Sequence, residues 1–232
     1  MKKFWKTAAI TALEDGYSIT LDNRPLRTPA RALLSIPNLS LAEAIVAEWD
    51  AQGEDIDPAS MPMTGLANAT IDLAAANPVE FAAPLAEYAA SDLLCYRDAR
   101  DSALQKEQAA AWNPILHWAE QHFGVEFILT QGVLPVDQPE ETIAALRAAT
   151  FALAPHQLAA LAPLVTISGS LVSGLAAMER AFDAEILWQA VALDDLYQER
   201  RWGEDAEAVK MREHRRTDWH NAIRYLSLAT SS

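Results

Sequence analysis

The sequence predicts a helix-rich α+β fold, and three observations carry that expectation. Hydrophobic residues make up 51 % of the 232-residue chain and glycine contributes only eight positions, a balance that favours helix. Apolar and polar residues alternate with a period of two only within the first forty residues. From Ser40 onward the apolar spacing is helical. Strand pattern followed by helix pattern argues α+β or two small domains, not a parallel α/β sheet.

Taken in order, Phe4–Leu13 and Tyr17–Asp22 read as strands around the turn signal Glu14-Asp15-Gly16. Tyr17, Ile19 and Leu21 share one face of the second strand. Asn23-Arg24-Pro25 reads as another turn, and Leu26–Thr28 and Ala32–Ile36 as short strands punctuated by Pro29 and Pro37. Ser40 and Glu43 form a capping-box pattern for a first helix, whose apolar face is Leu41, Ile45, Val46 and Trp49. Helices are expected over Pro62–Ala76 and Pro78–Ala90, then over Ala103–His122 with a kink or break at Pro114. Val125–Thr130 reads as a short strand added to the first sheet. Further helices cover Pro139–Ala154, His156–Ala162, Leu164–Ala181, a segment from Asp183 to Gln198, and Glu204–Leu226. The expected boundary lies at Asn77-Pro78, giving a β-containing domain over 1–77 and a helical domain over 78–232.

Charge narrows the range of partners. The net charge is −14, and residues 40–141 carry eighteen acidic side chains against three basic ones. Nucleic acid is a poor partner for such a surface, because phosphate contacts need clustered Lys and Arg. A basic protein surface suits it better. Cys95 is the sole cysteine, so no internal disulfide can form and a reducing compartment fits. The apolar stretch after Lys6 is too short and too interrupted for a signal segment. No run approaches the roughly 20 apolar residues of a membrane span. The expectation is a monomer in the cytosol, or in an equivalent matrix compartment, without membrane insertion.

Little in the chain promises chemistry. Gly169 to Gly174 has glycines spaced like a phosphate loop, but no Lys-Ser/Thr follows, so close helix packing is the better reading. His117 and His122, and His214 and His220, lack metal-ligand spacing, and no metal or cofactor is expected. Cys95 lies beside Leu94 and Tyr96 and reads as a buried, inert thiol. Asp194 falls on the apolar stripe of Leu187, Ala190 and Val191, where a carboxylate is either paired with a buried Arg or held near a functional cleft. Asp194, Asp195 and Glu204 can be drawn as the acid–base set of a small-molecule enzyme. Adjacent helical residues diverge by about 100°, however, and do not converge on one substrate. No catalytic residue is assigned. Glu204 and Asp205 fit a helix first turn through the macrodipole, which leaves Trp202-Gly203 unexplained. The seven tryptophans are read as mostly core residues, with one or two available as interface anchors.

Several blocks go further than this reading. Phe4-Trp5-Lys6, Leu21 through Pro29, Ala47 through Gln52 and Met61 through Asn68 resemble the F1-ATPase assembly factor specific for the α subunit. So do Asp92 through Arg97, Trp112-Asn113-Pro114, Ser168 through Leu171 and Trp202-Gly203-Glu204-Asp205. The blocks occur in family order from Phe4 to Asp205. Departures are small: Asn23 stands where Gly is frequent, Asn113 where Asp is common, and Asp195 where Glu is usual. The resemblance implies a β-containing domain followed by an orthogonal helical bundle. It also implies a non-enzymatic chaperone that holds free F1 α subunit, shields the surface that later meets β, and leaves during assembly. In the family the acidic residue of the Trp-Gly-Glu-Asp motif is tied to function. That points to Glu204, with Asp205 and Trp202 beside it, as partner-binding residues. A generic interaction domain with a different client would differ only in the partner's identity.

Overall fold

A computed structural model describes residues 2–100, 102–132 and 134–230. The protein is 62 % helical, with a small β region at its N-terminus followed by helices, as the sequence pattern predicts. In chain order the elements are β1 Ala8–Leu13, β2 Gly16–Leu21, β3 Arg24–Pro25, β4 Ser35–Ile36, α1 Leu39–Asp50, α2 Pro62–Ala69, α3 Pro78–Ala86, β5 Tyr96–Arg97 and α4 Ser102–Phe123. There follow β6 Thr130–Gln131, α5 Glu140–Phe151, α6 Pro155–Ser168, α7 Leu171–Met178, α8 Ala184–Val191, α9 Leu193–Trp202 and α10 Ala206–Ala229. None of these helices is long and apolar enough to cross a membrane. The chain groups into two units. One comprises Met1–Pro78, Ala154–Ala160 and Asn221–Ser232, the other Val79–Leu153 and Leu161–His220.

In the first unit β1 and β2 form an antiparallel hairpin in the register Ala8↔Leu21 to Leu13↔Gly16. The hairpin turn depends on Gly16, whose φ is 124° and whose hydrogen occupies the place where a Cβ would lie 2.5 Å from Ile36 O. Asp22 and Asn23, with φ of 47° and 65°, make the next turn, so Asn supplies the left-handed conformation without glycine. Arg24-Pro25, expected within that turn, already pairs with β2. Ile19, Leu34, Ile36, Leu41, Ile45 and Met63 are fully buried, while Trp5 meets Trp49 edge to face at 4.9 Å.

Acidic side chains from the family-like blocks secure backbone N–H groups here. Asp22 accepts from Lys6 and Thr7. Glu48 accepts from Met63 N, Thr64 N and Thr64 Oγ1 at 2.7, 2.8 and 2.7 Å, satisfying the free donors at the start of α2. The cap of α1 is Asn38, whose Oδ1 accepts from Leu41 N. The Ser40–Glu43 pattern therefore lies inside the helix and does not begin it.

The second unit is organised around Asp92, which is fully buried. Its two oxygens accept from Leu94 N at 3.0 Å and Val172 N at 2.8 Å, joining the turn before β5 to the start of α7. Burial raises its pKa from the usual 3.8 to about 6, while the Val172, Ser170 and Leu94 hydrogen bonds hold it down. Nearby, Arg97 donates to Gln108 O at 3.1 Å and Asn113 Oδ1 at 2.7 Å, with its guanidinium 4.9 Å from the Trp112 ring centre. Trp112 Nε1 in turn donates to Ala190 O at 2.7 Å.

Four expectations need correction. The short strand after Phe123 begins at Thr130 and pairs in parallel with β5, so it does not join the first sheet. The segment over Leu164–Ala181 is two helices, because Gly169 at φ 69° ends α6 and Ser170 caps α7 through Ser173 N. Gly174 sits inside α7, where a Cβ would lie 2.8 Å from Leu161 Cδ1, and this is the close packing expected of it. The helix expected to end near Gln198 breaks at Ala192 (φ −91°, ψ 5°) into α8 and α9. Finally, of the kink or break expected at Pro114 the break does not occur, because α4 continues through it to Phe123.

Two outcomes follow. Gly16→Ala should lower unfolding free energy by about 2 kcal/mol or more, whereas Gly53→Ala, with nothing within 4 Å, should be close to neutral; urea unfolding distinguishes them. For Asp92 the native pKa exceeds the unfolded one, so its contribution to stability is complete below about pH 4 and is lost as pH rises through about 6. Between pH 4 and pH 7 the wild type should therefore lose on the order of 3 kcal/mol relative to Asp92→Asn. Parallel curves for the two proteins would contradict this.

Candidate partner-binding site

The Trp-Gly-Glu-Asp motif lies where α9 gives way to α10. α9 ends because Gly203 adopts φ 92°, ψ 165°, a conformation that an L-residue resists. α10 begins three residues later at Ala206, and Asp205 Oδ1 caps it, accepting from Glu207 N at 2.8 Å and Ala208 N at 3.2 Å. Glu204, between them, is exposed and has no hydrogen bond or ion pair with any described residue. Trp202 is 73 % exposed and Met211 is 61 % exposed. The two acids of the motif thus differ in role: Asp205 is committed to the helix and Glu204 is free.

Below them α9 and α10 enclose a cleft of about 320 Å³ lined by Glu199, Trp202, Ala208, Met211, Arg212 and Arg215 among others. Its base is a nearly buried ion pair in which Arg212 grips both oxygens of Glu199, at 2.7 and 3.2 Å. Such a bidentate pair fixes geometry as well as charge. Arg215 pairs with Asp195, and its Nε is buried without a partner. Further along α10, Arg216 and His220 both reach Glu185. Partial burial pushes the Glu185 carboxyl up, but the hydrogen bonds from Arg216, Gln189 and His220 outweigh this and hold it below its ordinary value. The glutamate and arginine in the cleft satisfy each other, whereas Glu204, next in sequence to the lining residue Gly203, has no such partner among the described residues.

The other sequence candidates lie elsewhere. Asp194 is half-buried, and burial raises its pKa, helped by Asp195 and Asp98. Its partner is Gln108 Nε2 at 2.8 Å rather than an arginine. Gln108 also receives Asp98 N–H, and its own carbonyl accepts from Arg97. Asp194 therefore belongs to the polar network around α4. Asp195 faces Arg215 and Glu204 faces solvent, so the three carboxylates do not meet. Cys95 is fully buried, and desolvation pushes its thiol up to about 12, far from thiolate chemistry at neutral pH. Among the described residues no group of His, Cys, Asp and Glu could hold a metal ion.

Sequence reasoning missed Asp92, Arg97, Gln108 and the Glu199–Arg212 pair. A signal existed for Asp92, because a carboxylate directly before Leu93-Leu94-Cys95 is hard to keep in solvent. The Glu199–Arg212 pairing, thirteen residues apart across a helix break, has no local signature.

Comparison with known proteins agrees with this fold and motif set. Residues 2–120 match the ATP12 chaperone protein family. The crystal structure of Atp12 from Paracoccus denitrificans is similar at a TM-score of 0.91 and 38 % identity, covering 98 % of each chain. An aspartate-to-lysine mutant of that protein gives the same TM-score at 37 % identity, covering 98 % of this chain and 97 % of its own. The mitochondrial protein atp12 of Schizosaccharomyces pombe is 27 % identical over 230 residues, which span 90 % of this chain and 76 % of the relative. The chain belongs to the ATP12 chaperone protein family, the chaperones of F1-ATPase assembly.

Proposed function

We propose that this chain binds the free α subunit of F1-ATP synthase and shields the surface through which that subunit later meets β. The observation that carries the site is Glu204, an exposed carboxylate without an internal partner, next to the exposed indole of Trp202. A charged hydrogen bond from a basic group of the client to Glu204, with apolar contact on Trp202 and Met211, combines specificity with removable affinity. Asp205 contributes indirectly, by holding the first turn of α10 and so the position of Glu204. Selection of α over other F1 subunits is supported by the motif blocks, which follow the α-specific factor from Phe4 to Asp205.

The role is that of a binding protein. An enzyme built on Asp194, Asp195 and Glu204 requires those groups around one substrate, and they engage Gln108, Arg215 and solvent respectively. Asp195 and Asp194 are read instead as supports of α9.

Co-expression of the tagged chain with F1 α and, separately, with F1 β tests the proposal. Soluble α should co-purify and β should not. Capture of β, or of neither while circular dichroism shows a folded chain, overturns it.

A further inference from the structure

β1 is an edge strand, because β2 pairs with β1 on one side and with β3 and β4 on the other. The hydrogen-bond phase tells which of its main-chain groups face outward. Asp22 N donates to Thr7 O at 3.0 Å. In the observed register Ala9 and Thr11 therefore exchange bonds with Thr20 and Ser18, while Ala8, Ile10 and Ala12 turn their N–H and C=O groups to the open side. Ala8 N–H is taken by Asp50 Oδ1 at 3.3 Å. The main-chain groups of Ile10 and Ala12 on that side meet no described residue.

Sheets ordinarily guard an open edge with lysine, proline, a bulge or a covering segment. β1 has neither charge nor proline, and Ala9, Thr11, Ala12 and Leu13 are exposed. Its charges stand at the two ends instead: Lys6 before the strand and Glu14 after it, both exposed.

This edge is self-complementary in one register. Antiparallel pairing about a two-fold axis at Ile10 sets Ile10 opposite Ile10, Ala8 opposite Ala12, and Lys6 opposite Glu14 of the second copy. The two Ile10 residues exchange a pair of hydrogen bonds, and each Ala12 N–H reaches the other copy's Ala8 C=O. At Ala8 the second copy's Ala12 C=O competes with Asp50 Oδ1 for the same N–H. Moving the axis to Ala9 or Thr11 places Lys6 opposite Ala12 or Gly16 and loses both ion pairs. We propose that β1 is a homodimerisation edge, at which a second copy of this chain extends the sheet through an isologous contact. It goes beyond the client site on α9 and α10, and it departs from the monomer expected of the sequence. A strand this short with two exposed ion pairs gives weak association, on the order of 100 µM.

Sedimentation velocity of the full chain from about 10 µM to about 500 µM tests it. The wild type should shift from monomer to dimer across that range. Ala12→Pro removes an outward N–H without touching the β1–β2 ladder, a position where edge strands accept proline. It should stay monomeric with wild-type circular dichroism. Lys6→Glu and Glu14→Lys should each weaken dimerisation about tenfold, and the double exchange should restore it; this series decides the matter if the proline variant does not fold. A wild type that stays monomeric throughout overturns the proposal, as does a dimer indifferent to all these changes. A monomer that loses α capture on Ala12→Pro also overturns it, by assigning the edge to the client.

Discussion

The buried carboxylate of Asp92 is the constraint on which the helical unit depends. Leaving an amide donor unpaired in a core costs about as much as a lost hydrogen bond, and placing a charge there costs more. Asp92 accepts the second cost to remove the first. It sits at the positive end of α7 and supplies acceptors for Leu94 N and Val172 N. The two segments it joins are eighty residues apart in sequence, so a single side chain positions β5 and α7 together. Arg97, two residues past Cys95, then reaches Gln108 and Asn113 on α4, and Gln108 passes the connection to Asp194 on α9. α9, which leads into the Trp-Gly-Glu-Asp motif, is thus tied through Gln108 and Arg97 to the segment that Asp92 holds in place.

The family-like blocks sort by this physics. Asp22, Glu48, Asp92, Arg97, Trp112 and Ser170 each satisfy backbone groups or neighbouring side chains inside the fold. Their presence is explained by architecture. Trp202 and Glu204 have no such explanation: one exposes a large indole and the other leaves a carboxylate unpaired. To these two exposed residues the proposed client contact is assigned.

Much of the fold was legible because periodicity is a local property. Tyr17, Ile19 and Leu21 announced β2, and Leu41, Ile45 and Trp49 announced α1. Features set by distant partners were not legible. β6 pairs with β5 thirty-four residues earlier, and no local pattern names that partner. The break at Ala192 has neither Gly nor Pro to mark it. Asn38 and Ser40 both satisfy the rules for a helix cap, and only the structure distinguishes them. The stripe position of Asp194 implied a buried arginine partner or a cleft, whereas the structure pairs it with Gln108 from α4. Glu204 and Asp205 looked equivalent in sequence, whereas one caps α10 and the other is free.

The account makes Glu204 a residue of binding and not of stability, and one paired measurement decides this: thermal melting and capture of F1 α by Glu204→Gln, side by side with the wild type. The predicted result is a melting midpoint unchanged within about 2 °C with α capture clearly reduced. A large drop in melting temperature, or undiminished capture, would contradict it.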